Sequence, residues 1–161
     1  MIAAAWIAFI VILAWAFGDA LHDQKNPNQT LSSSITGSTK EVTLLRNRYG
    51  HYVASGMING HEVEFLVDTG ATDVAIPKTV ASRLNLTYGS RGVYGTANGY
   101  IEAFQTTLDH VALGAIEVRN VRASIVPNMS DDHVLLGMSF LRHLNFSQQD
   151  NKLTIHQRIN Q

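Results

Sequence analysis

The chain has 161 residues, of which 45% are apolar and 16% charged, and its formal net charge is −1. That is enough for one compact domain of roughly 110 to 120 residues plus a shorter accessory segment, and the scattered Lys and Arg leave no basic footprint for nucleic acid. The absence of cysteine excludes disulfides, thiol catalysis and thiolate metal sites together, and fits a reducing or an oxidising compartment equally.

From Ile2 to Gly18 there is no charged residue, and these 17 residues as a helix reach about 25 Å, the short end of a bilayer crossing. Trp6 and Trp15 are of the amphipathic kind found at membrane interfaces. Residues 1–21 are therefore expected to form a transmembrane anchor. A cleaved signal peptide is the alternative: Ala16-Phe17-Gly18 offers small residues for cleavage, but no Lys or Arg precedes the apolar run. Lys25 and Lys40 lie beyond it together with Asp19 and Asp23, so charge specifies the orientation poorly. Residues 22–40 read as a flexible polar linker, because Asn26-Pro27-Asn28, Ser32-Ser33-Ser34 and Gly37-Ser38-Thr39 offer little to bury. Such a tether spans about 25 Å when flexible, enough to let two neighbouring domains meet.

Residues 41–161 read as a mostly β domain. Tyr52 to Ile58 and His61 to Val67 flank Asn59-Gly60, a dipeptide suited to the two positive-φ positions of a tight hairpin. In the second strand Val63, Phe65 and Val67 share one face with Glu62 and Glu64 opposite, so Asp68 emerges from a half-buried strand. A strand is expected at Val74 to Ile76, then a short helix from Pro77 to Leu84. Further strands are predicted around Gly92 to Tyr94, Tyr100 to Leu108, Ile116 to Val126, Val134 to Leu136 and Lys152 to His156, with a second short helix over Met138 to Leu144. A faint internal echo relates Val53-Ala54-Ser55-Gly56-Met57-Ile58 to Val111-Ala112-Leu113-Gly114-Ala115-Ile116, each leading on to a glycine turn.

The most informative element is Val67-Asp68-Thr69-Gly70, an acid on a tight turn at the end of an apolar strand. Peptide hydrolysis by water needs one group to accept a proton from the water and another to give one to the substrate, and two close carboxyls sharing a proton supply both. Like charges that close cannot both ionise readily, so such a pair titrates in two separated steps. Only one such motif is present, since Asp131-Asp132 lacks both the glycine turn and the preceding strand. A complete site would therefore need two chains with Asp68 of each on a two-fold axis. Two other readings stand beside this one. Asp-Thr-Gly is also an ordinary turn, and Asp68-Thr69-Gly70-Ala71-Thr72 is shaped like an aspartyl-phosphate nucleophile, which needs a helix-rich α/β domain.

Three segments in order, Phe65-Leu66-Val67-Asp68-Thr69-Gly70-Ala71, Tyr94-Gly95-Thr96-Ala97-Asn98-Gly99-Tyr100, and Val134-Leu135-Leu136-Gly137-Met138 followed by Phe140-Leu141, resemble the retropepsin-like aspartic proteases, specifically the bacterial membrane-anchored members. The resemblance covers roughly Val42 to His156. It implies a closed β-barrel, the half-domain of an acid protease with one or two short helices, preceded here by the transmembrane helix. It also implies an aspartic endopeptidase acting as a homodimer on a protein or peptide substrate, with Asp68 catalytic. Thr69 would hydrogen-bond across the subunit boundary, Gly70 would permit close backbone approach, and Ala71 would leave room for substrate. Leu135 and Leu136 would pack under the Asp68 loop, with Gly137 at the chain crossing. Tyr94, Gly95, Thr96, Ala97, Asn98 and Gly99 would form a flap over the substrate, its tip at Asn98-Gly99. A periplasmic domain held at the bacterial inner membrane follows from the same resemblance.

The chain departs from the retroviral pattern at two places. Retroviral members carry an acid where Thr72 stands and an Arg where Met138 stands, and these pair to support the dimer, so the interface here must differ. No cofactor and no metal are expected. The seven histidines, His22, His51, His61, His110, His133, His143 and His156, show no metal-ligand spacing. No helix start follows Gly89, Gly92, Gly95 and Gly99, so they are not a phosphate loop. Asn28-Gln29-Thr30 is a glycosylation sequon that matters only on a eukaryotic secretory route. A module of the same fold that binds peptide or dimerises without turnover is the competing function.

Overall fold

The computed structural model describes residues 2–96 and 99–159. Helix α1 (Ile2–Lys25) leads into strands β1 (Ser32–Thr36), β2 (Thr39–Leu45), β3 (Val53–Ile58), β4 (His61–Val67) and β5 (Val74–Pro77). Helix α2 (Lys78–Arg83) follows, then β6 (Arg91–Thr96), β7 (Gly99–Leu113), β8 (Ile116–Val126), β9 (Val134–Leu136), helix α3 (Met138–Leu141), β10 (Asn145–Gln149) and β11 (Lys152–Arg158).

A seven-stranded sheet runs in the order β3-β4-β9-β5-β8-β7-β6, and β3 pairs again with β7 through Met57 opposite Ala112 and Ile58 opposite Val111. That extra pairing closes β3, β4, β9, β5, β8 and β7 into a barrel and leaves β6 as an outrigger on the first half of β7. Closure removes sheet edges that would otherwise invite aggregation. Phe65, Ile76, Leu108, Ile125, Leu136 and Phe140 fill the interior and are fully buried. A second sheet, ordered β1-β2-β11-β10, adds Val42, Leu44, Leu153 and Ile155 to the same core.

The β3–β4 hairpin forms where the turn chemistry requires it: Asn59 and Gly60 adopt φ of 50° and 81°, the two left-handed positions of a two-residue hairpin loop. The expected alternation in β4 holds, with Val63 and Phe65 buried while Glu62 is exposed. Pro77 stands directly before α2, where its fixed φ of −58° suits a helix start and its missing N–H costs nothing. Strand β10 was not expected, because Asn145 to Gln149 are all exposed and carry no alternating pattern.

The amino-terminal half differs from expectation. Among the described residues no helix is long and apolar enough to cross a membrane, which overturns the transmembrane anchor over residues 1–21. The physical reason is length. Helix α1 continues to Lys25, but its charge-free stretch is 17 residues, the short end of what a hydrocarbon core needs, and Asp19 and Asp23 lie in the helix beyond it. The polar segment after it is tied down in part. Asn26 and Asn28 are buried, and Ser32 to Thr36 pair with β2 although every side chain in β1 is exposed. The Asn28 side chain acts as a surrogate peptide group. Its Nδ2 donates to the Leu45 and Val53 carbonyls at 2.9 and 2.7 Å, and its Oδ1 accepts from Leu45 N–H at 2.7 Å, joining β2 to β3 and thus one sheet to the other. Composition alone misses this, because a short amide can substitute for a ladder partner as readily as it can stay in water.

Asn28→Ala is expected to orphan three backbone groups, the Val53 carbonyl buried and the two of Leu45 part-buried, and to cost about 2 to 3 kcal/mol. Urea denaturation checks this, with Ser34→Ala on exposed β1 as the control that changes stability by less than about 0.5 kcal/mol.

Candidate active site

Strand β4 delivers Asp68 to its place. Its parallel partner β9 sets Phe65 opposite Val134, Leu66 opposite Leu135 and Val67 opposite Leu136. The ladder continues one step beyond β4, where Asp68 N–H donates to the Leu136 carbonyl at 3.2 Å, and Val67 N–H is held by Tyr52 O at 2.9 Å on the other side. The turn then closes on its own acid: Gly70 N–H donates to Asp68 Oδ1 at 2.8 Å and Ala71 N–H to Asp68 O at 3.3 Å. This is an Asx-type turn, so one carboxylate oxygen is occupied by the backbone and the side chain is aimed by it. Asp68 is half-buried, while Thr69 and Gly70 lie exposed at the surface.

Beneath the turn the chain crosses itself at Gly137. A Cβ there would sit 2.2 Å from the Asp73 carbonyl oxygen and 2.7 Å from that of Ala71, both backbone atoms that cannot swing away. The close approach lets Met138 N–H donate to Ala71 O at 2.8 Å and Ser139 N–H to Thr72 O at 2.9 Å. Leu136 is fully buried in the core, and Leu135 is half-buried with Leu66 on one side and Ala75 on the other. The structure thus brings Asp68, Thr69, Gly70 and Ala71 together with Leu135, Leu136 and Gly137.

Asp73, Arg122, Ser124 and Ser139, which meet at this crossing, were not legible as site residues. Asp73 is only 9% exposed, and its Oδ1 accepts from Arg122 Nε at 2.7 Å while Ser124 Oγ lies 3.4 Å from Oδ2. Ser139 Oγ accepts from Val74 N–H at 3.0 Å and donates to Arg122 O at 2.7 Å. The usable signal was Asp73 itself, an acid directly before the apolar run Val74-Ala75-Ile76, where a charge needs a partner.

The β6–β7 hairpin carries the segment expected to be a flap. Tyr94 and Gly95 lie on β6, and Thr96 pairs with Gly99, which opens β7 at φ 105°. Ala97 and Asn98 lie outside the described residues. Val93 and Tyr100 are 68% and 86% exposed, and the hairpin extends beyond the closed barrel on β7. An open cavity of about 610 Å³ lies elsewhere, lined by Leu84, Asn85, Ser90, Thr106, Asp109 and Arg122 among others, and Asp68 does not line it.

Upstream of Asp68, Glu64 on β4 accepts from Asn26 Nδ2 at 2.7 Å and faces His133 Nε2 at 3.5 Å. The other ring nitrogen of His133 lies 2.5 Å from Asp131 Oδ1, so the imidazole bridges two carboxylates just before β9. Partial burial alone would raise the Asp131 carboxyl. The hydrogen bonds and charge of His133, with backbone N–H groups, outweigh it and hold the carboxyl below its ordinary 3.8.

The gag-polyprotein "putative aspartyl protease" family matches residues 54–143. The chain is 31% identical over 158 residues to an uncharacterized protein of Rickettsia prowazekii (strain Madrid E), covering 94% of this chain and 67% of that one. It is 28% identical over 157 residues to an uncharacterized protein in the cobV 5′ region of Sinorhizobium sp, covering 90% and 67%. Among solved structures it is similar to a retropepsin-like aspartic protease from Rickettsia conorii at 32% identity and a TM-score of 0.63, over 80% of this chain and 96% of that one. The chain belongs to the gag-polyprotein aspartyl protease family and has the mostly β, retropepsin-like fold.

Two outcomes are expected. Gly137→Ala forces a Cβ into two carbonyl oxygens and should cost about 3 kcal/mol or more, read as a large fall in the urea midpoint. Because the Asp131 carboxyl is depressed in the folded state, its contribution is complete above its unfolded value of 3.8 and is lost as pH falls through the lower folded value. Asp131→Asn should therefore melt below the wild type at pH 7, with the difference in Tm closing as pH falls below the carboxyl's ordinary 3.8.

Proposed function

We propose that this protein is an aspartic endopeptidase whose working form is a homodimer, with the Asp68 carboxylates of two copies flanking the water that attacks the peptide bond. The observation that carries this reading is the single Asp68-Thr69-Gly70 turn, aimed by its own backbone, seated on the β4–β9 ladder and exposed at the surface. One carboxylate can accept a proton or give one, but cannot do both for the same step. A symmetric neighbour supplies the missing group without any new residue, since a two-fold axis through the turn brings identical acids together.

In this mechanism one Asp68 takes a proton from the water as its oxygen attacks the scissile carbonyl carbon, and the other, protonated Asp68 gives its proton to the carbonyl oxygen. Collapse of the tetrahedral diol then expels the amine, with proton transfer to nitrogen, and the pair again shares one proton. Thr69 is assigned to the contact between the two copies, Gly70 and Ala71 to close passage of substrate backbone, and Leu135, Leu136 and Gly137 to support beneath the turn. The hairpin of Tyr94, Gly95, Thr96, Ala97, Asn98 and Gly99 is assigned to closing over an extended peptide and excluding water. Extended substrates suit a β-rich cleft, which holds them by backbone hydrogen bonds.

Asp68→Asn is expected to lower hydrolysis of a fluorogenic peptide library by about 10³-fold or more between pH 3 and 8, with the melting temperature and sedimentation of the dimer preserved. Adding an excess of the Asn variant to wild type should suppress wild-type turnover by forming mixed dimers. Undiminished hydrolysis by the variant eliminates this mechanism, and a folded wild-type dimer that cleaves nothing across the pH range favours a binding module instead.

A further inference from the structure

The loop that carries Asp68 is fastened at its start by the β4–β9 ladder and farther along by the Gly137 crossing, whose Met138 and Ser139 amides hold the Ala71 and Thr72 carbonyls, and its far end lies at Asp73, directly before β5. The ion pair that retroviral members use in this region has no counterpart here, since positions 72 and 138 hold Thr and Met. Strand β5 runs parallel to β8 with Val74 opposite Ala123, so Asp73 and Arg122 stand one residue before each strand's paired position. Their ion pair, Arg122 Nε to Asp73 Oδ1 at 2.7 Å, is lopsided: the carboxylate side chain is 9% exposed and the guanidinium side chain 56%. Ser139 ties the same node to the segment after Gly137 by accepting from Val74 N–H and donating to Arg122 O. Three segments, 73–74, 122–124 and 137–139, therefore meet at one polar point.

We propose that the Asp73–Arg122 pair, with Ser139 as its link to the crossing, is the positioning clamp that fixes the far end of the Asp68 loop in place of the absent ion pair. This rests on the reading of Asp68 as the catalytic acid. Arg122 does not touch substrate in this role; it acts through Asp73 and the loop. The lopsided burial sets the order of effects. Asp73 is almost fully buried and, among the described residues, is held besides Arg122 by a Ser124 hydroxyl at 3.4 Å, so removing Arg122 strands a buried charge, whereas removing both charges does not. A loop released at one end lets Asp68 drift, and displacement of a reacting group lowers turnover while leaving substrate binding largely intact.

The test uses the full chain with Arg122→Met, Arg122→Lys and the double variant Asp73→Asn/Arg122→Met, followed by amide hydrogen exchange and by steady-state peptide hydrolysis. Arg122→Met is expected to speed exchange at the Met138 and Ser139 amides about tenfold, with Val63 and Val111 in the barrel unchanged, and to lower kcat about tenfold with KM within about twofold. Arg122→Lys should recover part of both, and the double variant should bring exchange back to within about twofold of wild type. Exchange that is unaltered, or that rises equally throughout the barrel, overturns the clamp. So does a double variant no better than Arg122→Met. Should Arg122→Met fail to fold, a folded double variant supports the clamp and an unfolded one overturns it. A wild type that shows no hydrolysis overturns the endopeptidase reading, while the exchange comparison still decides the clamp.

Discussion

The hydrogen bond from Asp68 N–H to the Leu136 carbonyl exists only because β4 and β9 lie side by side and parallel. A parallel pair cannot be joined by a tight turn, and everything from β5 to β8 is the excursion that brings the chain back. The Asp68 turn is thus anchored by a contact that forms only when most of the barrel is in place. Such non-local pairing is slow to find and costly in loop entropy, yet once made it couples the position of the acid to the whole fold. Gly137 is the point at which that coupling is tightest, since the returning chain passes closer to residues 71 and 73 than any side chain allows.

Local chemistry made part of this legible in advance. Asn59-Gly60 specifies its own hairpin, Val63 and Phe65 announce a half-buried strand, and Asp68-Thr69-Gly70 closes on itself through a bond two residues long. What resisted was anything settled between distant residues. Asp73 and Arg122 carry no mutual signal along the chain, and their partnership appears only when β5 and β8 pair. Strands β1 and β10 have uniformly exposed side chains, so no periodicity marks them. The apolar amino terminus misled for a related reason, since composition suggests a bilayer crossing where, among the described residues, no helix is long and apolar enough to make one.

The charged groups around the site follow a common pattern. Glu64 and Asp73 each face a cationic or ionisable partner supplied by another strand or loop, His133 for the first and Arg122 for the second, and Asp131 faces His133 two residues along its own loop. Asp68 is oriented by the Gly70 N–H of its own turn, and among the described residues no ion pair is formed with it. Acids fixed by cations are fitted to hold a structure, whereas an acid oriented by neutral amide hydrogens keeps its second oxygen open to a proton.

The surrogate peptide made by Asn28 bears on where this fold may be cut. A fragment trimmed to begin at Glu41 would retain every barrel strand yet lose the amide that spans the seam between β2 and β3, together with the Asn26 contact to Glu64. Water would then enter between two sheets that share one apolar interior. Residues that resemble a leash in composition serve here as a rivet.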